Sequence, residues 1–199
     1  MQSAVDRGTS RPRIARPGDV CVLVEPAEDE ITGLRQRQAA LQARFGGRPH
    51  ERVHLTCQRF ELQDEHPLPD LVRLLRRGLG AVRPFPIVAV SLIQYESPFW
   101  RSRLLRWRIR PSDDVRRLGR IVERTLAAVG IAPHFSLASG WEPTLLTALD
   151  GIPEVDLERN LDDIPFPHHL FTARRVVLSR IRGHRQFEIL ETIRLSASI

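Results

Sequence analysis

The stretch Val53–Cys57 reads V-H-L-T-C, and the stretch Pro133–Ser139 reads P-H-F-S-L-A-S. Each places a histidine two residues before a hydroxyl side chain within an apolar run. Because side chains at positions i and i+2 of a β-strand point to the same side, we expect His54 and Thr56 to project together, as His134 does with the serine that follows it. No other histidine of the chain has this spacing.

The two stretches each close a matching succession of predicted elements. In the first unit, a strand is followed by P-A-E-D at 26–29, a helix, a glycine stop and the strand with His54. In the second, a strand is followed by P-S-D-D at 111–114, a helix, a glycine stop and the strand with His134. Such a duplication indicates two β-α-β-like lobes related by a pseudo-two-fold axis. We therefore predict that the two histidines meet across a cleft between the lobes.

The paired stretches resemble the two signatures of the two-histidine (2H) phosphoesterase superfamily, and most closely those of its 2′-5′ RNA ligase / cyclic phosphodiesterase (LigT-like) branch. Phe60, four residues after Thr56, belongs to the first signature, and Pro133 and Leu137-Ala138 belong to the second. The resemblance covers about Val20 to Leu195. It implies an α+β fold in which bilobal duplicated β-α-β units with antiparallel sheets surround a central cleft.

The resemblance also implies an activity. The substrate would be RNA or a nucleotide with a 2′,3′-cyclic phosphate end, opened to a 2′-phosphate without metal or ATP, with reversible 2′-5′ RNA ligation as a related reaction. His54 and His134 would be general acid and base, because an ordinary pKa near ~6.5 makes both protonation states accessible at neutral pH. Thr56 and Ser136 would bind the phosphoryl oxygens as charge builds on them. Which histidine is the acid is left open.

Two rival functions also stay open. One is a phosphodiesterase acting on a small cyclic nucleotide or an ADP-ribose cyclic phosphate, for which a shorter cleft with few basic residues would argue. The other is a catalytically degenerate module that binds RNA ends. Intact histidine and hydroxyl pairs in both stretches favour an enzyme over this module.

Aromatic and basic residues supply further candidates. Trp141 follows the second stretch in a predicted turn and is a candidate for stacking on a nucleobase. In the strand predicted at 101–110, the alternation sends Trp107 to the core and the arginines Arg106, Arg108 and Arg110 to the opposite face. Those arginines form either a solvated sheet face or a track for phosphates.

Other segments give predicted elements outside the duplicated units. We predict a helix at 69–79, a strand at 85–93, a short helix from Pro143 to Leu149, and a loop from Gly151 to Pro167 that continues through His168 and His169. The chain is predicted to close with a hairpin of Thr172–Ile181 and Phe187–Leu195.

Composition is that of a folded globular protein, with 42% hydrophobic and 27% charged residues in 199. All 30 basic residues are arginine, and the formal net charge of +6 is compatible with a phosphorylated partner. We expect a mobile tail at residues 1–18 and one bilobal domain at 19–199, monomeric, cytoplasmic and not bound to a membrane. Cys21 and Cys57 lie in apolar runs without metal-ligand spacing, and no glycine-rich phosphate loop occurs, so we expect buried reduced thiols and no cofactor.

Overall fold

The computed structural model describes residues 15–97, 101–134, 145–154, 156–157, 164–183 and 186–196. Within these ranges the elements follow the order β1 Val20–Val24, α1 Glu28–Phe45, β2 Arg48–Pro49, β3 Leu55–Phe60, α2 Leu68–Leu79, β4 Phe85–Ser97, β5 Ser102–Ile109, α3 Asp113–Ala128, β6 Leu145–Asp150, β7 His168–Ala173, β8 Arg175–Gly183 and β9 Gln186–Arg194. The fold is α+β, as predicted.

The described strands form one antiparallel sheet in the order β7-β4-β5-β6-β3-β1-β8-β9, with β2 paired to β6. The path divides into two halves of four strands, and the helices cross between them: α1 follows β1 in the chain but packs on β6 and β7, whereas α3 follows β5 but packs on β3. The halves join where β3 pairs with β6, at Leu55 opposite Leu146. Pro133 forms an isolated antiparallel bridge with Phe60, so the second stretch reaches β3 at its carboxyl end.

The main core lies on the sheet face that the three helices cover. Helix α1 begins with acidic residues in its first turn and ends at the glycine stop, as predicted, and it buries Leu34, Gln38 and Leu41 at helical spacing. Residues of alternate strand positions complete this core, among them Val20, Val22, Leu55, Phe60, Leu105 and Trp107.

A smaller apolar cluster lies on the opposite face of the sheet and consists of Cys21, Leu23, Val177 and Ile181. Both cysteines of the chain are free and buried, as predicted. Burial raises the pKa of each thiol to about 12, so neither is a nucleophile at neutral pH. We call this side of the sheet the open face, because the helices pack on the other side.

Three predicted elements are wrong. The segment 145–150 is strand β6 rather than a helix, because β5 and β3 pair with it on its two sides. His168 and His169 lie in strand β7, which pairs with β4, rather than in a loop. The closing hairpin therefore consists of β8 and β9 alone, and β4 runs on to Ser97. Among the helices described, none is long and apolar enough to cross a membrane.

Candidate active site

Strand β3 presents Thr56 and Arg59 on the open face. Directly paired residues of antiparallel strands point to the same side of a sheet, and Thr56 pairs with Leu23 while Arg59 pairs with Cys21. Both partners belong to the open-face cluster. In a regular strand, residues on one face are an even number of positions apart, but Arg59 is three positions after Thr56. The register shifts here and leaves Cys57 as an extra residue in a β-bulge.

His54 immediately precedes β3, and its hydrogen bond fixes which ring nitrogen carries the proton. Nδ1 lies 2.8 Å from the carbonyl oxygen of Arg52, which can only accept, so Nδ1 carries the hydrogen and Nε2 has the lone pair. The ring also packs edge-on against Phe187, with centroids 5.8 Å apart. Phe187 in turn packs against the open-face cluster, so His54 lies on the same face as Thr56.

The surroundings of His54 keep its ring neutral. Burial is the largest cause that lowers its pKa, from 6.5 to about 3. The charges of His50, Arg52 and Arg106 lower it further, against the hydrogen bond to the Arg52 carbonyl, which raises it. His54 is therefore an uncharged imidazole at neutral pH, with Nε2 available as a proton acceptor.

Sequence reasoning dismissed His50 and overlooked Arg52, yet both shape the surroundings of His54. The Nδ1 atom of His50 lies 2.9 Å from the same carbonyl oxygen that His54 uses, and the two rings are 5.9 Å apart. The Arg52 guanidinium pairs with the buried Glu25 carboxylate, and its Nη1 donates to Ser179 Oγ at 3.2 Å. Because a carboxylate already balances its charge, we assign Arg52 to holding this loop in place.

His134 is held at the other end of β3 by Arg59 and Asp19, neither of which sequence reasoning selected. Its backbone N–H donates to the Arg59 carbonyl at 2.7 Å. Its ring Nδ1 accepts from Arg59 Nε at 3.1 Å, which leaves the ring hydrogen on Nε2. Asp19 Oδ2 lies 3.4 Å from Arg59 Nε and 3.7 Å from His134 Nδ1, and the Asp19 carboxylate is buried.

The two histidines thus lie near opposite ends of β3, with Thr56 between them on the open face. Arg59, which bonds to His134, lies five residues after His54, or roughly 16 Å between the Cα atoms of His54 and Arg59 along an extended strand. The two histidines therefore flank a stretch of the sheet. The other two predicted site residues, Ser136 and Trp141, lie outside the described residues.

Solved structures with the same architecture include LigT of E. coli in its apo form, with a TM-score of 0.56 at 16% identity over 92% of this chain and 99% of that one. TT0787 of Thermus thermophilus superposes with a TM-score of 0.61 at 16% identity, over 91% and 100% of the two chains. Usb1 of Kluyveromyces marxianus gives 0.52 at 12% identity, over 87% and 98%. The chain therefore has a LigT-like fold. No protein-family model and no curated protein sequence matches it.

In this LigT-like fold the neighbouring half of the sheet adds Arg106 to the open face. Trp107 is 1% exposed and lies in the helix-side core, as predicted, so its neighbour Arg106 points the other way. The Arg106 guanidinium lies over the ring of Tyr95, with Cζ 4.0 Å from the ring centroid. The predicted alternation of the strand is therefore confirmed, and it directs Arg106 to the face that carries His54.

Proposed function

We propose that the protein is a phosphodiesterase that opens 2′,3′-cyclic phosphate ends of RNA to 2′-phosphates, with 2′-5′ ligation by an RNA 5′-hydroxyl as the related reaction. One observation carries the proposal: His54 and His134 flank Thr56 on a single sheet face. The fold itself is that of phosphoesterases, and E. coli LigT has been crystallised with 3′-AMP and with phosphate. The catalytic unit would be residues 19–199, acting as a monomer without metal or ATP.

The spacing of the histidines suits displacement at phosphorus. The attacking oxygen and the leaving oxygen lie roughly in line on opposite sides of the phosphorus, so the base and the acid must also stand on opposite sides. Two hydrogen bonds and two P–O bonds in line separate the catalytic nitrogens by roughly 9 Å. Side chains held at the two ends of a strand segment roughly 16 Å long can reach that separation by leaning toward each other.

The hydrogen bonds of the two rings support one assignment of the proton-transfer roles. His54 has its lone pair on Nε2 and is neutral, so it takes the proton from the attacking water or hydroxyl. His134 has its hydrogen on Nε2, so it faces the departing ribose oxygen as a donor. For complete proton transfer His134 must also be protonated on Nδ1, and the Asp19 carboxylate at 3.7 Å stabilises that imidazolium. Arg59 then keeps Asp19 as its partner.

The hydroxyl side chains complete the site. Thr56 lies between the histidines and would donate a hydrogen bond to a non-bridging phosphoryl oxygen, where charge builds during the reaction. Ser136 would do the same from the second stretch, and Trp141 would stack on a base. These two roles rest on the sequence pattern alone.

The test uses a short RNA that ends in a 2′,3′-cyclic phosphate, incubated in EDTA without ATP, with the position of the terminal phosphate as the readout. We expect a 2′-phosphate product, and a loss of about 10²-fold or more in rate with His54→Gln or His134→Gln. His66→Gln is the matched control, because the His66 side chain is exposed on the loop between β3 and α2. If the protein hydrolyses small cyclic nucleotides but not RNA, its substrate is a small nucleotide rather than an RNA end. If it binds RNA without turnover, and both histidine variants still bind, it is a binding module rather than an enzyme.

A further inference from the structure

Arg106 is a partly buried cation with no counter-ion among the residues that the structure describes. Its Nε atom is buried and has no hydrogen-bond partner, and its contact is the face of the Tyr95 ring. Burial lowers the pKa of this guanidinium, because the charged form loses its hydration. Arg52, by contrast, has Glu25. A buried charge that nothing balances is costly, and an anionic ligand would remove that cost.

The sheet register places Arg106 level with His54. Leu55 pairs with Leu146, and Leu146 pairs with Trp107, so these residues form one row across three strands. In the next row Arg106 is opposite Thr147, and extending the β3 register by one residue puts His54 level with this pair. The charge of Arg106 accordingly acts on the His54 ring. Two strand spacings separate the Cα atoms of His54 and Arg106 by about 10 Å. Arg106 on β5 is therefore level with His54, with strand β6 between them.

The Arg106 guanidinium leans away from Thr56. It covers Tyr95, which pairs with Leu104, whereas Arg106 itself pairs with Ile93. Strands β3 and β5 run in the same direction because both are antiparallel to β6. Positions that precede Arg106 on β5 are thus level with positions that precede His54. The guanidinium leans toward those positions, whereas Thr56 follows His54 and lies on the other side of it. An anion held by Arg106 is on the side of His54 that faces away from the reacting phosphate.

We propose that Arg106 binds a second phosphoryl group of the substrate, the one on the 5′ oxygen of the nucleotide whose cyclic phosphate reacts. This inference rests on the proposed function and specifies its substrate class: a nucleoside 2′,3′-cyclic phosphate that also carries a 5′-phosphoryl group. The group is a monoester in a free nucleotide and a diester in an RNA chain. A guanidinium group can donate two parallel hydrogen bonds to phosphate oxygens. Because the Tyr95 ring already holds the Arg106 guanidinium in one orientation, little side-chain entropy is lost when the phosphate binds.

The test compares three substrates: adenosine 2′,3′-cyclic phosphate, the same compound with a 5′-phosphate, and a dinucleotide ending in a 2′,3′-cyclic phosphate. We expect Arg106→Gln to lower kcat/KM about tenfold or more for the two substrates with a 5′-phosphoryl group and less than twofold for the first. Arg106→Lys should retain part of the preference. An equal loss on all three substrates, or no loss on any, would overturn the proposal. The wild-type ratio between the second and third substrates identifies free nucleotide or RNA as the source.

Arg103→Gln is the matched control, because Arg103 is on the same strand but pairs with Glu154, away from the histidines. A binding measurement separates this proposal from the proposed reaction. By calorimetry, wild-type protein should bind adenosine 3′,5′-bisphosphate at least tenfold more tightly than adenosine 3′-monophosphate, and Arg106→Gln should remove the difference. This result would support the second phosphate site even if no cyclic phosphate were turned over. An unchanged difference in the variant would refute it.

Discussion

Protonation of His54 should govern how both activity and stability respond to acid. With its pKa lowered to about 3, about 99% of His54 stays neutral at pH 5. An ordinary histidine would be only about 3% neutral at that pH, a difference of about 30-fold in the fraction of competent base. We therefore expect kcat/KM, which reports the free enzyme, to show no acidic limb from His54 as the pH falls from 7 to 5.

Bound substrate should reverse part of this effect. The anionic phosphate lies next to His54 in the proposed complex and favours the imidazolium, so the pKa that governs kcat is higher than the one that governs kcat/KM. Initial rates at pH 4.5 to 8, at limiting and saturating substrate, measure both profiles. An acidic limb of kcat/KM centred near 6.5 would refute the assignment of His54 as a buried neutral base.

The same pKa shift has a consequence for stability whose sign can be worked out. Below pH 6.5 the unfolded chain binds a proton at His54, whereas the folded protein does not do so until about pH 3, so acid favours unfolding. The free energy of unfolding should fall by up to about 2 kcal/mol between pH 7 and pH 5 from this residue alone. Urea unfolding of wild type, His54→Gln and His66→Gln at both pH values isolates the contribution of His54 to the free energy of unfolding, because the other titrating groups of the site and core are shared by all three proteins. Equal pH slopes in wild type and His54→Gln would contradict it.

Three further substitutions test the site and the fold. Asp19→Asn should lower kcat about tenfold with little change in KM, because the carboxylate 3.7 Å from His134 Nδ1 no longer stabilises the imidazolium; saturation kinetics with the cyclic substrate measure it. Gly47→Ala should destabilise the protein by about 2 kcal/mol in urea unfolding, because φ is +77° and an added Cβ would lie 2.8 Å from the Asp150 carbonyl oxygen. Gly33→Ala should instead stabilise it by about 0.5 to 1 kcal/mol, because this site within α1 has open space around the added methyl.

Local sequence pattern predicted most of the elements that carry the site, and its failure at β6 has a physical cause. Leu145, Leu146 and Leu149 follow a proline at helical spacing, and leucine and alanine are good helix formers. In the fold, this segment lies between β5 and β3, which provide hydrogen-bond partners on both sides. Leu146 and Leu149 are both fully buried there. Tertiary pairing therefore overrides a helical propensity that is worth only tenths of a kcal/mol per residue.

Some residues of the candidate site could likewise be selected from local sequence, and others could not. The repeated spacing selected His54 and Thr56 as candidates, because residues i and i+2 of a strand share a face. The partners of His134 could not be found like this, because Arg59 is 75 residues away in the chain. Arg106 is intermediate: alternation with Trp107 gave its direction, but its lack of a counter-ion among the described residues depends on which carboxylates the tertiary structure brings near.

The bulge at Cys57 explains why sequence alternation alone would have misassigned Arg59. Strict alternation from Thr56 sends Arg59 to the helix side, where a guanidinium would meet the main core. The extra residue shifts the register by one. Arg59 therefore pairs with Cys21 on the open face, and Phe60 pairs with Val20 in the main core. Only in this register can the Arg59 side chain contact both Asp19 and His134. One inserted residue in β3 therefore connects the first stretch, V-H-L-T-C, to the histidine of the second.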